Sequence, residues 1–510
     1  MKKIINCTFF LLICFSLSAC EKSKNSETTT NPDIDIPDYS KSPLPFDMPS
    51  LGALRAGPKR VFAHYFPPQP IQLYNNRPPE EDYYAVNYLS PNAQSPIEQR
   101  WNEVGGFLRN RPLPVEDYAN PNFQQLNYEK EVKYASEIGI DGFAVDILRG
   151  EPGHLYYDAV GMLCDAAQKI DLGFKILLMP DMSHFHDKSV EYLVNCVNAL
   201  CKHSSIYRLE DGRLVVSPFN THRWNAEKWT VFLDEMRKLG EEVAFFPLFQ
   251  EWKKYAVEFA PISYGMSDWG SNSINAQSNW LNSAELAHSY GAKWMMPVRP
   301  QDVRPKNSTF WEARNSEMYR VTWENAIESN SDWVQIITWN DYTEHTSIVP
   351  STGTYFSFAD LTSYYITWYK TGVAPPIVRD VLYYFYRPQL ARAPINKQQV
   401  RIEASSTSDP VRDEIELLAF LKSAGTLEIE IDGKKNKVSA QEGVTSFKIP
   451  ATKGIPTFRL IRNDKDTIIN FKGKYQILDE VDYQNPMYYG GSNSRIEDYS
   501  PVLDYKQVIL

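Results

Sequence analysis

The stretch Asp332-Trp333-Val334-Gln335-Ile336-Ile337-Thr338-Trp339-Asn340-Asp341-Tyr342-Thr343-Glu344-His345 begins as an apolar, β-branched run and ends in acids, amides and aromatics. Its Val-Gln-Ile-Ile-Thr portion reads as a buried strand, whose C-terminal end delivers Trp339, Asn340, Asp341, Tyr342 and Glu344 into a pocket. Polar groups placed directly after a buried strand are costly unless they are satisfied or used. Two carboxylates three positions apart, set between aromatic rings, suit acid–base chemistry on a sugar. The competing reading is an Asp that caps the next helix and a Glu that is merely solvated.

Upstream, the same texture recurs. Strand signals fall at 60–66, 142–147, 174–181, 213–218, 243–249, 262–266 and 293–298. Helical periodicity separates most of them, over 128–138, 156–170, 188–202, 224–239, 276–290 and 310–329, with a last helix at 359–370. Eight strands alternating with helices predict a (β/α)8 TIM barrel, an α/β fold. An open doubly wound sheet would want a Gly-rich phosphate turn after an early strand, and the sequence has none there.

Polar residues mark where those strands end: His64 with Tyr65, Asp146, Asp181 with His184, Asn220 with His222, Glu251 with Trp252, Asp268 with Trp269, Arg299, and Asp341 with Glu344. Any single one reads equally well as a cap or a satisfied core group. In a barrel all these ends meet on one face, where active sites sit, so together they predict a substrate cleft. Trp252, Trp269 and Trp339 are the expected stacking rings. The long segment 67–126 follows the first strand and is expected to wall or cover that cleft.

The flanks read differently. Residues 1–19 carry Lys2-Lys3, then a short apolar run, and Leu17-Ser18-Ala19-Cys20 looks like a bacterial lipobox. A lipoprotein signal peptide and a lipid-modified Cys20 are therefore expected, tethering the protein to a bacterial outer membrane or cell surface. Residues 20–56, rich in Ser, Thr, Asn, Asp and Pro, are expected as a disordered tether, and 57–395 as the barrel. From 396 the pattern changes to alternating strands at 400–402, 414–420, 426–431, 444–449, 457–462 and 467–470, with Asp432-Gly433 as a hairpin turn. This predicts a β-sandwich accessory domain over 396–510; nothing in the tail 483–510 assigns it an element.

Composition narrows the partners. The formal charge of −10, more negative once Lys2 and Lys3 leave with the leader, argues against nucleic acid. Aromatics at 13 %, with 31 Tyr and 12 Trp, supply the flat surfaces that a polysaccharide cleft needs. Of six Cys, Cys164, Cys196 and Cys201 remain in the body, without metal-ligand spacing, so no zinc site is expected and one Cys196–Cys201 bridge stays open. A monomer is expected.

Three motifs, in this order along the chain, resemble glycoside hydrolase family 71, the α-1,3-glucanases or mutanases: Val61-Phe62-Ala63-His64-Tyr65, Gly139-Ile140-Asp141-Gly142-Phe143-Ala144 and Trp339-Asn340-Asp341-Tyr342-Thr343-Glu344. The resemblance spans the barrel and, loosely, the β domain. It implies endo-hydrolysis of α-1,3-glucan by an inverting mechanism without metal or organic cofactor. The family's catalytic carboxylates fall on Asp341 and Glu344, and a further functional Asp on Asp141. Asp341 is assigned base and Glu344 acid, the reverse assignment staying open. Two departures stand out: Thr343-Glu344-His345 where the family commonly has Gly-Glu-Ser, and Asp146 where fungal members tend to have a neutral residue. By strand alternation Asp141 and Asp146 lie at opposite ends of the second strand, so the residues themselves favour Asp146 for the pocket. The readings that compete are an endo-α-mannanase-like hydrolase and a catalytically silent glycan-binding lipoprotein.

Overall fold

The computed structural model describes residues 39, 42–76, 83–89, 99–113, 119–463 and 465–495. Cys20, the signal peptide and most of the expected tether lie outside the described residues. The first layer is a curled parallel sheet. Its strands are β1 (Arg60–Tyr65), β2 (Gly142–Ile147), β3 (Lys175–Pro180), β4 (Leu214–Val216), β5 (Val243–Phe245), β6 (Leu248–Phe249), β7 (Gly265–Asp268) and β8 (Lys293–Val298). A hairpin of β9 (Asp302–Arg304) and β10 (Thr309–Trp311) follows, and then β11 (Trp333–Ile336). Across the nine-stranded sheet the order is β5-β4-β3-β2-β1-β11-β8-β7-β6.

The two outermost strands in that order, β5 and β6, are halves of one chain segment. Pro247 has no N–H to give a ladder, yet Phe246 N donates to Val216 O (2.9 Å) and Leu248 N to Pro218 O (3.2 Å) on one flank. On the other, Tyr264 N donates to Phe245 O (2.8 Å) and Ser267 N to Pro247 O (2.9 Å).

Both faces of the sheet are buried, which is why its strands read as near-continuous apolar runs. Alternate residues such as Val61, Ala63, Phe143, Val145 and Ile176 pack under the helices. The opposite set, including Phe62, Ala144, Leu177, Val215, Phe246, Met295 and Trp333, forms a separate cluster on the concave side, where Trp333 stacks on Phe246 at 4.8 Å and 18°. Helices run between strands over Phe123–Glu137, Leu155–Ile170, Val190–Leu200, Ala226–Lys238, Trp252–Phe259, Ser283–Ser289, Glu317–Glu328 and Ser357–Thr371. Ser189 and Asn225 cap two of them through Tyr192 N and Lys228 N. The expected helix over 310–329 starts only at Glu317, because 302–311 pairs as the β9–β10 hairpin.

The second layer is antiparallel: β12 (Val381–Tyr386), β14 (Glu414–Leu421), β15 (Gly425–Ile431), β16 (Lys434–Ala440), β17 (Gly443–Pro450), β18 (Thr457–Arg462), β19 (Asp466–Lys472) and β20 (Tyr489–Ser492), while the short β13 (Glu403–Ala404) pairs parallel with β10. Two four-stranded sheets result, β17-β14-β12-β20 and β16-β15-β18-β19, with Tyr384 stacked on Phe458 across them at 5.2 Å and 4°. Asp432 and Gly433 both take positive φ, the two-residue turn expected between β15 and β16.

The expected domain borders move at both ends. β12 lies before residue 396 yet pairs with β14. At the other end, 42–56 is packed and not free. Phe46 and Leu54 are buried, Leu51–Arg55 is helical, and Arg379 donates to the carbonyls of Leu44 and Phe46. Cys164, Cys196 and Cys201 are free, buried thiols, so the open Cys196–Cys201 bridge does not form.

Candidate active site

On the concave side the side-chain columns of β1, β2 and β3 turn from apolar to polar within two residues: Phe62 to His64, Ala144 to Asp146 and Met179 to Asp181. Strand periodicity alone thus lifts a polar layer onto the aromatic plug below it. The loop after β11 is pinched at its base, where Thr338 N donates to Thr346 O (2.9 Å) and the two Thr hydroxyls meet at 3.0 Å. Within it Asp341 makes a tight turn. Its Oδ1 accepts from Thr343 N (2.8 Å), Thr343 Oγ1 (2.8 Å) and Glu344 N (2.9 Å), while its own N–H donates to Thr338 Oγ1 (2.9 Å).

Glu344 leans on β9. Arg304 Nη2 lies 2.8 Å from Glu344 Oε2 and 2.6 Å from Asp302 Oδ2, and Arg304 Nε donates to Asp302 Oδ1 at 2.7 Å. Val303 N donates to Glu344 O (2.8 Å). His345, at φ +54°, bridges Val303 O (2.6 Å, Nδ1) and Arg109 N–H (2.7 Å, Nε2).

The two carboxyls differ in surroundings. Glu344 keeps 28 % of its side chain exposed, but its recess removes most of its water. That loss, with the charges of Asp341 and Asp302, outweighs Arg304 and Arg299 and pushes the carboxyl up to about 8. Burial raises Asp341 as well, opposed by the donors from Glu344 and Thr343 and by the charge of Lys306. With three donors already on its Oδ1, Asp341 is the better anion of the pair and Glu344 the better acid. Burial also raises Asp146, helped by the charges of Asp181 and Asp341, and raises Asp181. Burial pushes His64 down to about 3.

The cleft brings together His64, Asp146, Asp181, Trp269, Arg299, Asp341 and Glu344. The Trp269 ring is half-buried, 5.0 Å from His64 and 4.8 Å from Phe219. Arg299 is fixed by Trp269 O and Asn272 Oδ1. Asn220 sits half-exposed at the rim, 3.3 Å from Ser183 Oγ. Glu251 is also at the rim, with 72 % of its side chain exposed.

Seven expected binding residues are not free to meet a ligand. Tyr65 points to the helix layer, where its OH donates to Glu131 Oε2 (2.6 Å). Trp339 is fully buried against Phe143, Tyr342 against Tyr84, and Trp252 against Trp294; their size made core use as natural as stacking. Asn340 clasps Phe66 N, Phe66 O and Gln69 O (2.7, 3.1 and 2.7 Å). Asp268 accepts from Trp252 N (2.7 Å) and Gly270 N (2.8 Å). Asp141 lies at the other end of β2. Both its oxygens are 2.7 Å from Lys370 Nζ, and Val61 N donates to it at 2.7 Å. The structure also adds residues the sequence did not single out, namely Phe219, Asp302, Arg304 and Lys306. Phe219 lies beyond β4, bridged to Asp181 and on the same alternation as Val215, and was legible by that rule; the Asp302–Arg304 hairpin lay inside a loop without pattern.

Residues 118–497 match the model of glycosyl hydrolase family 71. Curated relatives include a glucan endo-1,3-α-glucosidase of Schizosaccharomyces pombe, 24 % identical over 392 residues, covering 72 % of this chain and 90 % of that protein. A mutanase of Penicillium rubens is 22 % identical over 401 residues, covering 73 % and 86 %. Among solved structures, a GH99 endo-α-mannosidase from Bacteroides thetaiotaomicron aligns with a TM-score of 0.46 and 15 % identity, over 61 % of this chain and 98 % of that one.

Proposed function

The chain belongs to glycosyl hydrolase family 71, and from that premise we propose that it cleaves internal links of α-1,3-glucan by direct displacement, Glu344 acting as general acid and Asp341 as general base. The observation that carries the roles is the unequal pair on one loop. Three donors on Oδ1 favour the anion of Asp341, whereas burial and the neighbouring acids push the Glu344 carboxyl up to about 8. The S. pombe and P. rubens relatives, an endo-1,3-α-glucosidase and a mutanase, support the substrate.

In this reaction Glu344 gives its proton to the departing glycosidic oxygen as that bond breaks. Asp341 takes a proton from the water that attacks the anomeric carbon from the opposite face. Inversion of this kind places the carboxyls about 6.5–9.5 Å apart, with the water between. Half-buried Trp269, over the concave floor, stacks on a sugar ring. The sheet closes as a (β/α)8 barrel through 243–249, a reading supported by the hydrogen bonds of that segment to both flanks. Cys20 carries the acyl anchor at the outer membrane or cell surface, supported by Leu17-Ser18-Ala19-Cys20; labelled fatty acid entering the wild type and not Cys20→Ala tests it.

The function is tested by incubating the protein with α-1,3-glucan and with α-mannan, reading reducing ends, and recording the first product's anomer by proton NMR. Release of β-anomers from α-1,3-glucan is expected. Asp341→Asn and Glu344→Gln should each lose about 10²–10⁴-fold. Azide should restore turnover to Asp341→Asn, giving a β-glycosyl azide. Near-wild-type rates in both variants, or cleavage of mannan alone, would overturn the assignment.

A further inference from the structure

Besides Asp341 and Glu344, the cleft contains a second pair of groups that converge without bonding. His64 Nε2 and Asp146 Oδ2 stand 3.8 Å apart, with 5 % and 6 % of their side chains exposed. That gap is too long for a hydrogen bond. His64 Nδ1 lies 3.3 Å from Met179 Sδ, a sulfur that can only accept. The contact therefore assigns the ring proton to Nδ1 and leaves a lone pair on Nε2. Asp146 Oδ1 is sealed from solvent and has no donor, a setting that penalises a carboxylate far more than a carboxylic acid.

The charged and titratable groups facing Asp146 are His64 on β1, Asp181 after β3 and Asp341 after β11. Among the described residues no Lys or Arg lies within ion-pair distance of it. Burial and the two neighbouring acids hold its proton on, and burial keeps the imidazole neutral. What remains is one donor, the carboxylic O–H, and one acceptor, Nε2, 3.8 Å apart. A single oxygen about 2.8 Å from each would satisfy both. A group that is donor and acceptor at once through one oxygen fits this pair, as a water does and a sugar hydroxyl that displaces it would.

We propose that Asp146 and His64 form a receptor for one hydroxyl of the glucosyl unit bound in the cleft, Asp146 donating to the hydroxyl oxygen and the hydroxyl donating to His64 Nε2. The receptor rests on the α-glucan reading of this site and adds the group that selects the sugar. It rejects an ammonium, which has no lone pair, and a deoxy position, which has neither partner. Sites built to bond a hydroxyl reject the analogue lacking it by up to about 10⁴–10⁵-fold.

The test uses α-1,3-linked glucooligosaccharides, intact and with single hydroxyls replaced by hydrogen, with kcat/KM measured for wild type, Asp146→Asn and Asp146→Ala. Wild type should lose about 100-fold on one particular deoxy compound. Asp146→Asn, which keeps a donor, should lose less than tenfold on the intact substrate. Asp146→Ala should lose about 100-fold there and show little further loss on that same deoxy compound. Ring ¹⁵N shifts of His64 in wild type, which need no variant to fold, should show Nε2 unprotonated.

Equal losses in Asn and Ala variants, additive losses on every deoxy compound, or a doubly protonated His64 ring would overturn the receptor while leaving the enzyme's substrate intact. If wild type cleaves none of the oligosaccharides, the glucan reading falls and the receptor with it.

Discussion

Glu344 is held between opposed charges, and its proton is the quantity that the site adjusts. Because it must be protonated to act, kcat/KM should fall as pH rises past about 8. Arg304 lowers that value and partly cancels Asp302, so Arg304→Gln should carry the alkaline limb to higher pH while reducing the maximum; a limb that stays in place would remove Arg304 from the site. The raised carboxyl also sets a stability trend. A group whose folded value lies above its unfolded one stabilises below the unfolded value and loses that contribution as pH climbs through the folded one. Glu344→Gln should therefore gain melting temperature relative to wild type at pH 9 and not at pH 4. Asp141 calls for the opposite measurement. It forms a buried pair with Lys370 beneath the sheet, and breaking such a pair costs about 3–5 kcal/mol. Asp141→Asn should lower the melting temperature steeply and leave kcat per folded molecule close to wild type; a selective rate loss would count against this placement.

At the scale of elements, the catalytic loop and the β9–β10 hairpin make one unit, joined by Val303 N to Glu344 O and by the His345 bridge. His345→Ala removes both ring contacts behind Glu344, so kcat should drop about tenfold or more while KM changes little, and His345→Gln, which offers a donor and an acceptor, should recover part of it. Equal falls in kcat and 1/KM would indicate a general loosening instead. The strands and their polar ends were legible because both follow a period of two on a sheet buried on both sides: His64, Asp146 and Asp181 sit where alternation puts them. Tyr65, Trp339 and Tyr342 were not legible. A strand end offers two directions, and a large ring is as stable against the helices as in a cleft. The hairpin was missed for a related reason. Asp302 to Trp311 has no alternation to read, since its value lies in one arginine between two acids.

Over the whole molecule, the antiparallel sheets are built into the support of the cleft. Arg109, whose N–H holds His345, gives its guanidinium to Gln484 O (2.5 Å), and its own carbonyl accepts from Tyr489 OH (2.7 Å). Arg387 on the β side meets Glu312 at 2.8 Å and covers Tyr488 at 4.0 Å. Calorimetry should therefore show one cooperative transition, and a chain ending before β12 should give no active enzyme; two separate transitions would mean that the layers stand apart. The sequence announced the sandwich by its alternation but not this joint. β20 depends on glycines whose value is spatial: a side chain at Gly491 would strike the Tyr384 hydroxyl at 2.5 Å. The path from His345 through Arg109 to Gln484 also has a meaning in time. Translation reaches residue 484 long after the catalytic loop has been made, so a nascent chain carries both carboxylates while the prop behind them is still unsynthesised. Hydrolytic competence then waits for the stretch around residue 484, and a polypeptide cut short before it should carry both carboxylates and no activity.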